Sequence, residues 1–116
     1  YIFDLYSQLL PSFWLQSSNC SLISSFAFGT LIENPEETSA FLKENSIESR
    51  PLICGSLGLQ PYWRNYNGTV THLPVADLVH NKGIYLPIHC DLTDEDVCLV
   101  ADKFKSIAIP LQSLNL

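Results

Sequence analysis

The strongest local signal in the sequence is a helix start that directly follows an apolar run. Asn34-Pro35-Glu36-Glu37 places Asn at the cap, Pro at the first helical position and Glu three residues after the cap. Residues 22–32, just before it, are rich in β-branched and aromatic residues and predict a buried strand. The helix should run to about Asn45. A strand that passes straight into a capped helix indicates a mixed α/β domain.

The second half of the chain repeats this alternation. Residues 74–81 predict a short helix that begins with Pro and is closed by Gly83 as a C′ glycine, and residues 84–86 predict a strand. Thr93 then caps a final helix with an acidic first turn. Its apolar residues follow the i, i+3, i+4, i+7 spacing of a core-facing stripe: Val97, Val100, Ala101 and Phe104.

The remaining segments complete the predicted order of elements. Residues 1–10 have apolar residues at helical spacing up to Pro11, and residues 47–50 predict a short strand stopped by Pro51. Residues 55–68 contain three glycines and a proline and are predicted to be irregular. The order helix, strand, helix, strand, loop, helix, strand, helix predicts an α/β (α+β) sandwich with a small sheet covered by helices.

Length and charge exclude several classes of protein. The chain has 116 residues, enough for one small domain. We divide it into a leading helix and linker (1–21), an α/β core (22–106) and a C-terminal tail (107–116). The net charge is −6 with six Lys and Arg, so we expect no nucleic-acid or anionic-membrane partner. No apolar run reaches the roughly 18 residues of a membrane span. We see no signal-peptide pattern and expect a cytoplasmic protein.

Four cysteines are spread along the chain: Cys20, Cys54, Cys90 and Cys98. An even number permits two disulfides, but the last three lie in apolar stretches, so we expect reduced, buried thiols. Cys90 and Cys98 together with His80 and His89 form a conceivable zinc set. Neither Cys-x-x-Cys nor His-x-x-x-His spacing supports it, and we predict no metal site.

Three blocks of residues give a more specific indication through their order and spacing. Residues 28–37 hold a strand and the capped helix, and residues 47–61 hold Ile-Glu-Ser-Arg-Pro-Leu, Gly-Ser and Gln-Pro. Residues 73–96 hold Leu-Pro, Ala-Asp, Gly-Ile-Tyr-Leu-Pro-Ile-His and Leu-Thr-Asp-Glu-Asp. Together they resemble the carboxy-terminal small domain of DegT/DnrJ/StrS-type sugar enzymes, which depend on pyridoxal phosphate. The spacing of the second block is closest to the branch of 3-dehydratases that act on nucleotide-linked 4-keto-6-deoxy sugars.

This resemblance implies a mostly antiparallel sheet and a division of labour between two domains. In the family, an N-terminal large domain carries pyridoxal 5′-phosphate and its Schiff-base Lys, or a His in the dehydratase branch. The small domain closes over a nucleotide-sugar substrate. The chain would thus be a fragment of an aminotransferase or 3-dehydratase of deoxysugar and lipopolysaccharide O-antigen biosynthesis, homodimeric at full length. Alone, it is expected to bind no cofactor and to be inactive.

Two other functions stay open at the level of sequence. The first is a stand-alone, non-catalytic binding or oligomerisation module of the same fold. The second is a thiol-dependent hydrolase that uses Cys54 or Cys90 with His89, although no acid is placed to orient the histidine.

The resemblance also selects five candidate substrate-binding residues: Arg50, Gly55, Ser56, Gln60 and His89. Arg50 suits an anionic or polyhydroxylated group, and its alternative is a salt bridge to Glu48. Ser56 stands where the related enzymes usually have Asn, and the alternative for its loop is a purely structural role. His89 either bonds substrate or cofactor phosphate or packs within a turn. We expect no catalytic residue in this chain.

An aromatic cluster is the last feature that the resemblance addresses. Tyr62, Trp63 and Tyr66 lie in the segment predicted to be irregular. Their rings either stack on a sugar or, as we expect, pack against the large domain.

Overall fold

An antiparallel sheet lies at the centre of the computed structural model. β1 (Ala27–Leu31) and β2 (Arg50–Pro51) pair with opposite edges of β3 (Gly83–Pro87), which gives the order β1-β3-β2. Phe28 lies opposite Leu86 in this register. The residues that the structure describes are 1–13, 25–52 and 55–112.

Helices surround this sheet within the described part of the chain. They are α1 (Ile2–Leu9), α2 (Pro35–Glu44), a 3₁₀ turn (Leu57–Leu59), α3 (Pro61–Asn67), α4 (Pro74–Lys82) and α5 (Asp94–Ile107). Both α1 and α2 contact α5, and α1 also contacts β1. The predicted sandwich of a small antiparallel sheet and covering helices is confirmed. None of these helices has the length and apolar character that crossing a membrane requires.

The hydrophobic core lies between the sheet and helices α1, α2 and α5. The rings of Phe3 and Tyr6 pack against Phe28 with centroid distances of 5.4 and 5.1 Å. Phe13 packs on Phe104 at 4.9 Å. Burial raises the pKa of the Tyr6 phenol, whose hydroxyl donates to the Pro87 carbonyl at 3.1 Å. The predicted stripe of α5 is confirmed, because its four residues are all buried: Val97, Val100, Ala101 and Phe104.

The two helix starts predicted from capping signals differ in the structure. Thr93 forms a reciprocal capping box with Asp96, and its backbone N–H and hydroxyl lower the pKa of the Asp96 carboxyl. Asn34 makes no side-chain cap. Its carboxamide instead donates to the Ile107 carbonyl at 3.0 Å and accepts from the Ile109 N–H at 2.9 Å. Glu37 does reach back to this residue, but it accepts from the Asn34 Nδ2 at 3.1 Å. The predicted cap by the Asn34 side chain is therefore wrong, because the Ile109 N–H occupies its carbonyl oxygen.

Helix α2 ends in a Schellman motif built without glycine. Ser46 has φ 60° and its N–H donates to the Lys43 carbonyl at 3.0 Å, while the Ile47 N–H donates to the Leu42 carbonyl at 2.8 Å. Leu42 and Ile47 are both buried. The strand predicted at 47–50 is therefore wrong for residues 47–49, because Ile47 belongs to the helix end and β2 begins only at Arg50.

Other predicted boundaries also need correction. The strand predicted at 22–32 spans Ala27–Leu31, and its first three predicted residues lie outside the described part of the chain. Pro51 is the last residue of β2, so the strand ends one residue later than predicted, and an edge strand tolerates the missing N–H. Gly83 is the first residue of β3 with φ −81° and is not a left-handed C′ glycine.

The segment predicted to be irregular contains two helical elements. Residues 57–59 form the 3₁₀ turn and Pro61 begins α3, which ends at the left-handed Gly68. The aromatic residues lie on α3, where Tyr62 and Tyr66 are exposed. The Trp63 indole N–H donates to the Thr71 hydroxyl at 2.9 Å.

The end of α5 is joined to the start of α2 by backbone pairing. The Glu33 N–H donates to the Ile109 carbonyl at 2.9 Å, and Ile32 bridges to Pro110.

The division of the chain at 21 and 106 stays a prediction.

Candidate functional site

Arg50 lies on the edge strand β2, and its guanidinium offers more hydrogen-bond donors than any other predicted site residue. Its Nε and Nη2 donate to the Glu48 Oε1 at 3.0 and 2.6 Å. The Arg50 side chain is 75% exposed, so water screens this ion pair and its net contribution to stability is small. The guanidinium keeps further donors for another acceptor.

Two open clefts meet at Arg50. The first, of about 560 Å³, is lined by residues of α2, β2 and α4, including Lys43 and His80. The second, of about 300 Å³, runs along the sheet and is lined by Phe26, Tyr85 and His89 as well as Arg50. The rings of Phe26 and Tyr85 meet edge-to-face at 5.6 Å. Arg50 and His89, predicted on separate motifs, therefore share one cleft.

The other three predicted residues line neither of these clefts: Gly55, Ser56 and Gln60. Ser56 is fully buried, and its hydroxyl donates to the Asp77 Oδ1 at 2.5 Å. The Gln60 Nε2 donates to the Ser56 carbonyl at 3.3 Å. Their assignment to a substrate site stays a prediction, and in this structure they order the loop that precedes α3.

Asp77 anchors that loop to the start of α4. Besides Ser56, its carboxylate accepts from the Leu73 N–H at 3.2 Å and lies 3.2 Å from the His72 Nδ1. We call Ser56, His72 and Asp77 the Asp77 network. The bond from Ser56, followed by those from His72 and Leu73, holds the Asp77 pKa below its ordinary value of 3.8.

The Asp77 network contains the residue types of a hydrolase triad in an order that does not activate serine. A nucleophilic serine must give its proton to the histidine, which the aspartate orients. Here the carboxylate lies between the two, and His72 is 80% exposed. The arrangement holds a loop and supplies no activated nucleophile.

We expect Asp77→Asn to destabilise the chain at neutral pH and to lose this effect in acid. A carboxyl whose pKa is lowered on folding adds stability above its ordinary pKa of 3.8. That contribution disappears as the pH falls through the lowered folded pKa. Urea denaturation of both proteins at neutral pH and at pH values well below 3.8 measures the change, with the exposed Glu44→Gln as control. A destabilisation independent of pH would contradict this role of the charge.

Gly55 is held close to helix α4. Its φ is +56°, and a Cβ at this position would overlap the His80 imidazole. The left-handed backbone favours glycine here, and any larger residue would also displace the exposed His80 ring.

His89 and Cys90 lie in the turn that follows β3. The His89 side chain is 64% exposed, and its Nδ1 contacts the Asp91 N–H of the same turn at 3.2 Å. Cys90 is exposed and Cys98 is partly exposed, both as free thiols. The prediction of a buried thiol is wrong for Cys90, because the chain leaves the sheet at Pro87 before reaching it. Cys20 and Cys54 lie outside the described residues.

A pyridoxal-phosphate seat needs a Lys or His in a desolvated pocket. All four lysines of the chain fall within the described residues, and none is buried: Lys43, Lys82, Lys103 and Lys105. Lys82 is bound to the Glu33 carboxylate at 3.0 Å and to its carbonyl at 2.9 Å. All three histidines are exposed. The residues of this chain do not fit the anchoring of the cofactor.

Solved aminotransferases share this fold. An aminotransferase of the DegT, DnrJ, EryC1 and StrS type from Brucella abortus is 21% identical with a TM-score of 0.75, over 90% of this chain and 29% of that chain. The PLP-form of a protein described as a sugar aminotransferase from Streptococcus pneumoniae is 22% identical with a TM-score of 0.76, over 90% and 29%. A protein described as a PLP-dependent aminotransferase from Bacillus cereus is 25% identical with a TM-score of 0.72, over 90% and 30%. The chain thus spans less than a third of these chains.

The fold and these comparisons place the chain in the class of aminotransferase-like α/β domains. The sequence model of the DegT/DnrJ/EryC1/StrS aminotransferase family matches residues 7–105. The chain therefore belongs to the DegT/DnrJ/EryC1/StrS aminotransferase family, which confirms the resemblance seen in the sequence. No curated protein sequence matches it.

Proposed function

We propose that this chain is the small domain of a pyridoxal-phosphate-dependent sugar enzyme and covers the substrate of a larger, cofactor-binding region. One observation carries this proposal: the family match runs through residues 7–105, yet the chain spans only 28–30% of the solved aminotransferases. The absence of any buried lysine among the described residues and the exposure of all three histidines support it, because the chemistry of the cofactor requires an anchoring residue held in a desolvated pocket.

The second cleft is the part of the surface that we assign to the substrate. Arg50 and His89 supply polar donors, and Phe26 and Tyr85 supply apolar faces on which a sugar ring can pack. A planar guanidinium suits the phosphate and hydroxyl oxygens of a nucleotide-linked sugar. Glu48 would be released or would share Arg50 at little cost, because the pair is exposed.

The reaction that we assign to the whole enzyme is amination or 3-dehydration of a nucleotide-linked 4-keto-6-deoxy sugar. The Arg-Pro-Leu to Gln-Pro segment, residues 50–61, favours the dehydratase branch. A homodimer, a cytoplasmic location and a role in deoxysugar and lipopolysaccharide biosynthesis belong to the same proposal. The anchoring residue outside this chain, Lys or His, separates the two reactions.

Mixing the isolated chain with pyridoxal phosphate and borohydride tests whether the cofactor is anchored outside this chain. We expect weak labelling spread over several lysines and no preferred one, because no lysine lies in a desolvated pocket. Peptide mass spectrometry locates any trapped cofactor, and a single saturable adduct on one lysine would contradict the proposal.

The role of the second cleft is tested in the enzyme encoded by the extended reading frame. We expect Arg50→Ala to raise KM for the nucleotide sugar, whereas Arg64→Ala removes an exposed cation from α3 and leaves KM unchanged. Equal KM values in both variants would contradict the assignment of the cleft. An extended frame that encodes no cofactor-anchoring region would instead favour the stand-alone binding module.

A further inference from the structure

The turn between β3 and α5 brings together three kinds of metal ligand. Among the described residues, His89, Cys90 and Asp91 form the one group of three His, Cys, Asp or Glu side chains whose ligand atoms all lie within 4.8 Å of one another. All three are exposed. We propose that the imidazole, thiolate and carboxylate of His89, Cys90 and Asp91 bind a divalent transition ion of the Zn²⁺ type.

Distances within the turn suit such an ion. The Cys90 Sγ lies 3.7 Å from the Asp91 Oδ1, and the His89 Nδ1 lies 3.6 Å from the Asp91 Oδ2. Zinc bonds of about 2.0–2.3 Å in a tetrahedral shell place neighbouring ligand atoms roughly 3.4–3.6 Å apart. The two contacts use different carboxylate oxygens, and the His89 nitrogen lies within 4.8 Å of the Cys90 Sγ. Binding one ion therefore requires small rotations of these exposed side chains.

His89 already presents the nitrogen that a metal needs. The Asp91 N–H points at the His89 Nδ1 at 3.2 Å, an arrangement in which this nitrogen acts as an acceptor. A metal would displace the Asp91 amide from Nδ1. Because the turn is exposed, water can take over that amide at little cost.

The turn is fixed at both ends, which limits the reorganisation that binding requires. His89 lies two residues after the end of β3, and the Leu92 N–H donates to its carbonyl at 3.1 Å. Thr93 and Asp96 then lock the start of α5. Ligands held between a strand and a capped helix lose less freedom on binding than ligands in a mobile loop.

The donor set selects the class of ion. A thiolate with an imidazole favours zinc and other borderline ions over Mg²⁺ and Ca²⁺, which prefer oxygen ligands. Three protein ligands leave a fourth position for water or for another molecule. This group differs from the zinc set considered from the sequence. His80 and Cys98 are not part of it, whereas Asp91 is. His89 bound in this way would not offer Nδ1 to a sugar in the second cleft.

Cobalt spectroscopy tests the site with the metal alone. The chain carrying Cys20→Ser, Cys54→Ser and Cys98→Ser keeps Cys90 as its single thiol. With Co²⁺ we expect a thiolate-to-cobalt charge-transfer band that saturates at one ion per chain and is displaced by Zn²⁺ but not by Mg²⁺. Further substitution of Cys90→Ser should abolish the band. No band in the single-thiol chain, or a band that survives Cys90→Ser, would overturn the proposal.

Calorimetric titration of single-residue variants tests the site without relying on the triple Cys→Ser chain. We expect His89→Gln and Asp91→Asn each to weaken Zn²⁺ binding by at least about tenfold, the loss seen when even an indirect support of a ligand is removed. Cys98→Ser should leave the affinity unchanged. Circular dichroism of each variant verifies that it folds. Zn²⁺ affinity that is equal in all of these folded variants would refute the site.

Discussion

Replacement of Phe104 by alanine is expected to destabilise the domain by about 3–5 kcal/mol. Phe104 is fully buried on α5, and its ring packs 4.9 Å from that of Phe13. Truncation removes the transfer free energy of the ring and leaves a cavity between helix and sheet. Domains of this size have total stabilities of about 5–15 kcal/mol, so one such cavity removes a large share.

Leu99→Ala is the matched control on the same helix. Its side chain is 54% exposed, and alanine is a better helix former than leucine. We expect a change within about 1 kcal/mol. Urea denaturation followed by circular dichroism gives both midpoints, and an unchanged m value shows that the difference is one of stability. If Phe104→Ala shifted the midpoint no more than Leu99→Ala, the core would not be where the structure places it.

The elements with strong periodicity were predictable from the sequence. The stripe of α5 and the Thr93 cap depend on residues within four positions of one another, so local spacing determines them. The same is true of the start of α4 at Pro74. The part of the fold that covers the core could therefore be predicted without coordinates.

The missed helix α3 did have a sequence signal. Pro61 occupies its first turn and Gly68 ends it with φ 77°. Proline is common at the start of helices and glycine just after their end. Two further glycines and the aromatic side chains obscured it. Ser46 carried no such signal, since glycine or asparagine is the usual residue in a left-handed C′ position.

The candidate site could be predicted only in part, because its contacts join distant segments. The bond from Ser56 to Asp77 spans 21 positions, and Asp77 was not among the predicted site residues. Arg50 and Glu48 are two positions apart, and their ion pair was the stated alternative. The shared cleft of Arg50 and His89 depends on β2 pairing with β3, which no local pattern specifies.

Gly58→Ala is expected to displace the loop that carries Ser56 and Gln60 and to destabilise the chain by about 1–3 kcal/mol. Gly58 is buried, and a Cβ there would lie 1.9 Å from the Thr71 carbonyl oxygen. The obstacle is backbone rather than a flexible side chain, so the loop itself must shift. That shift would break the bond from the Thr71 N–H to the Gly58 carbonyl, which measures 3.1 Å.

Gly68→Ala separates this steric effect from the general effect of removing a glycine. Gly68 has φ 77° with nothing within 4 Å of a Cβ, so alanine there carries only the strain of a left-handed backbone, about 1–2 kcal/mol. The expected losses of global stability overlap between the two variants. Hydrogen exchange distinguishes them, because only Gly58→Ala should accelerate exchange of the Thr71 amide. Slow exchange of Thr71 in that variant would mean that the loop tolerates a methyl group and that close packing of Gly58 does not hold Ser56 in place.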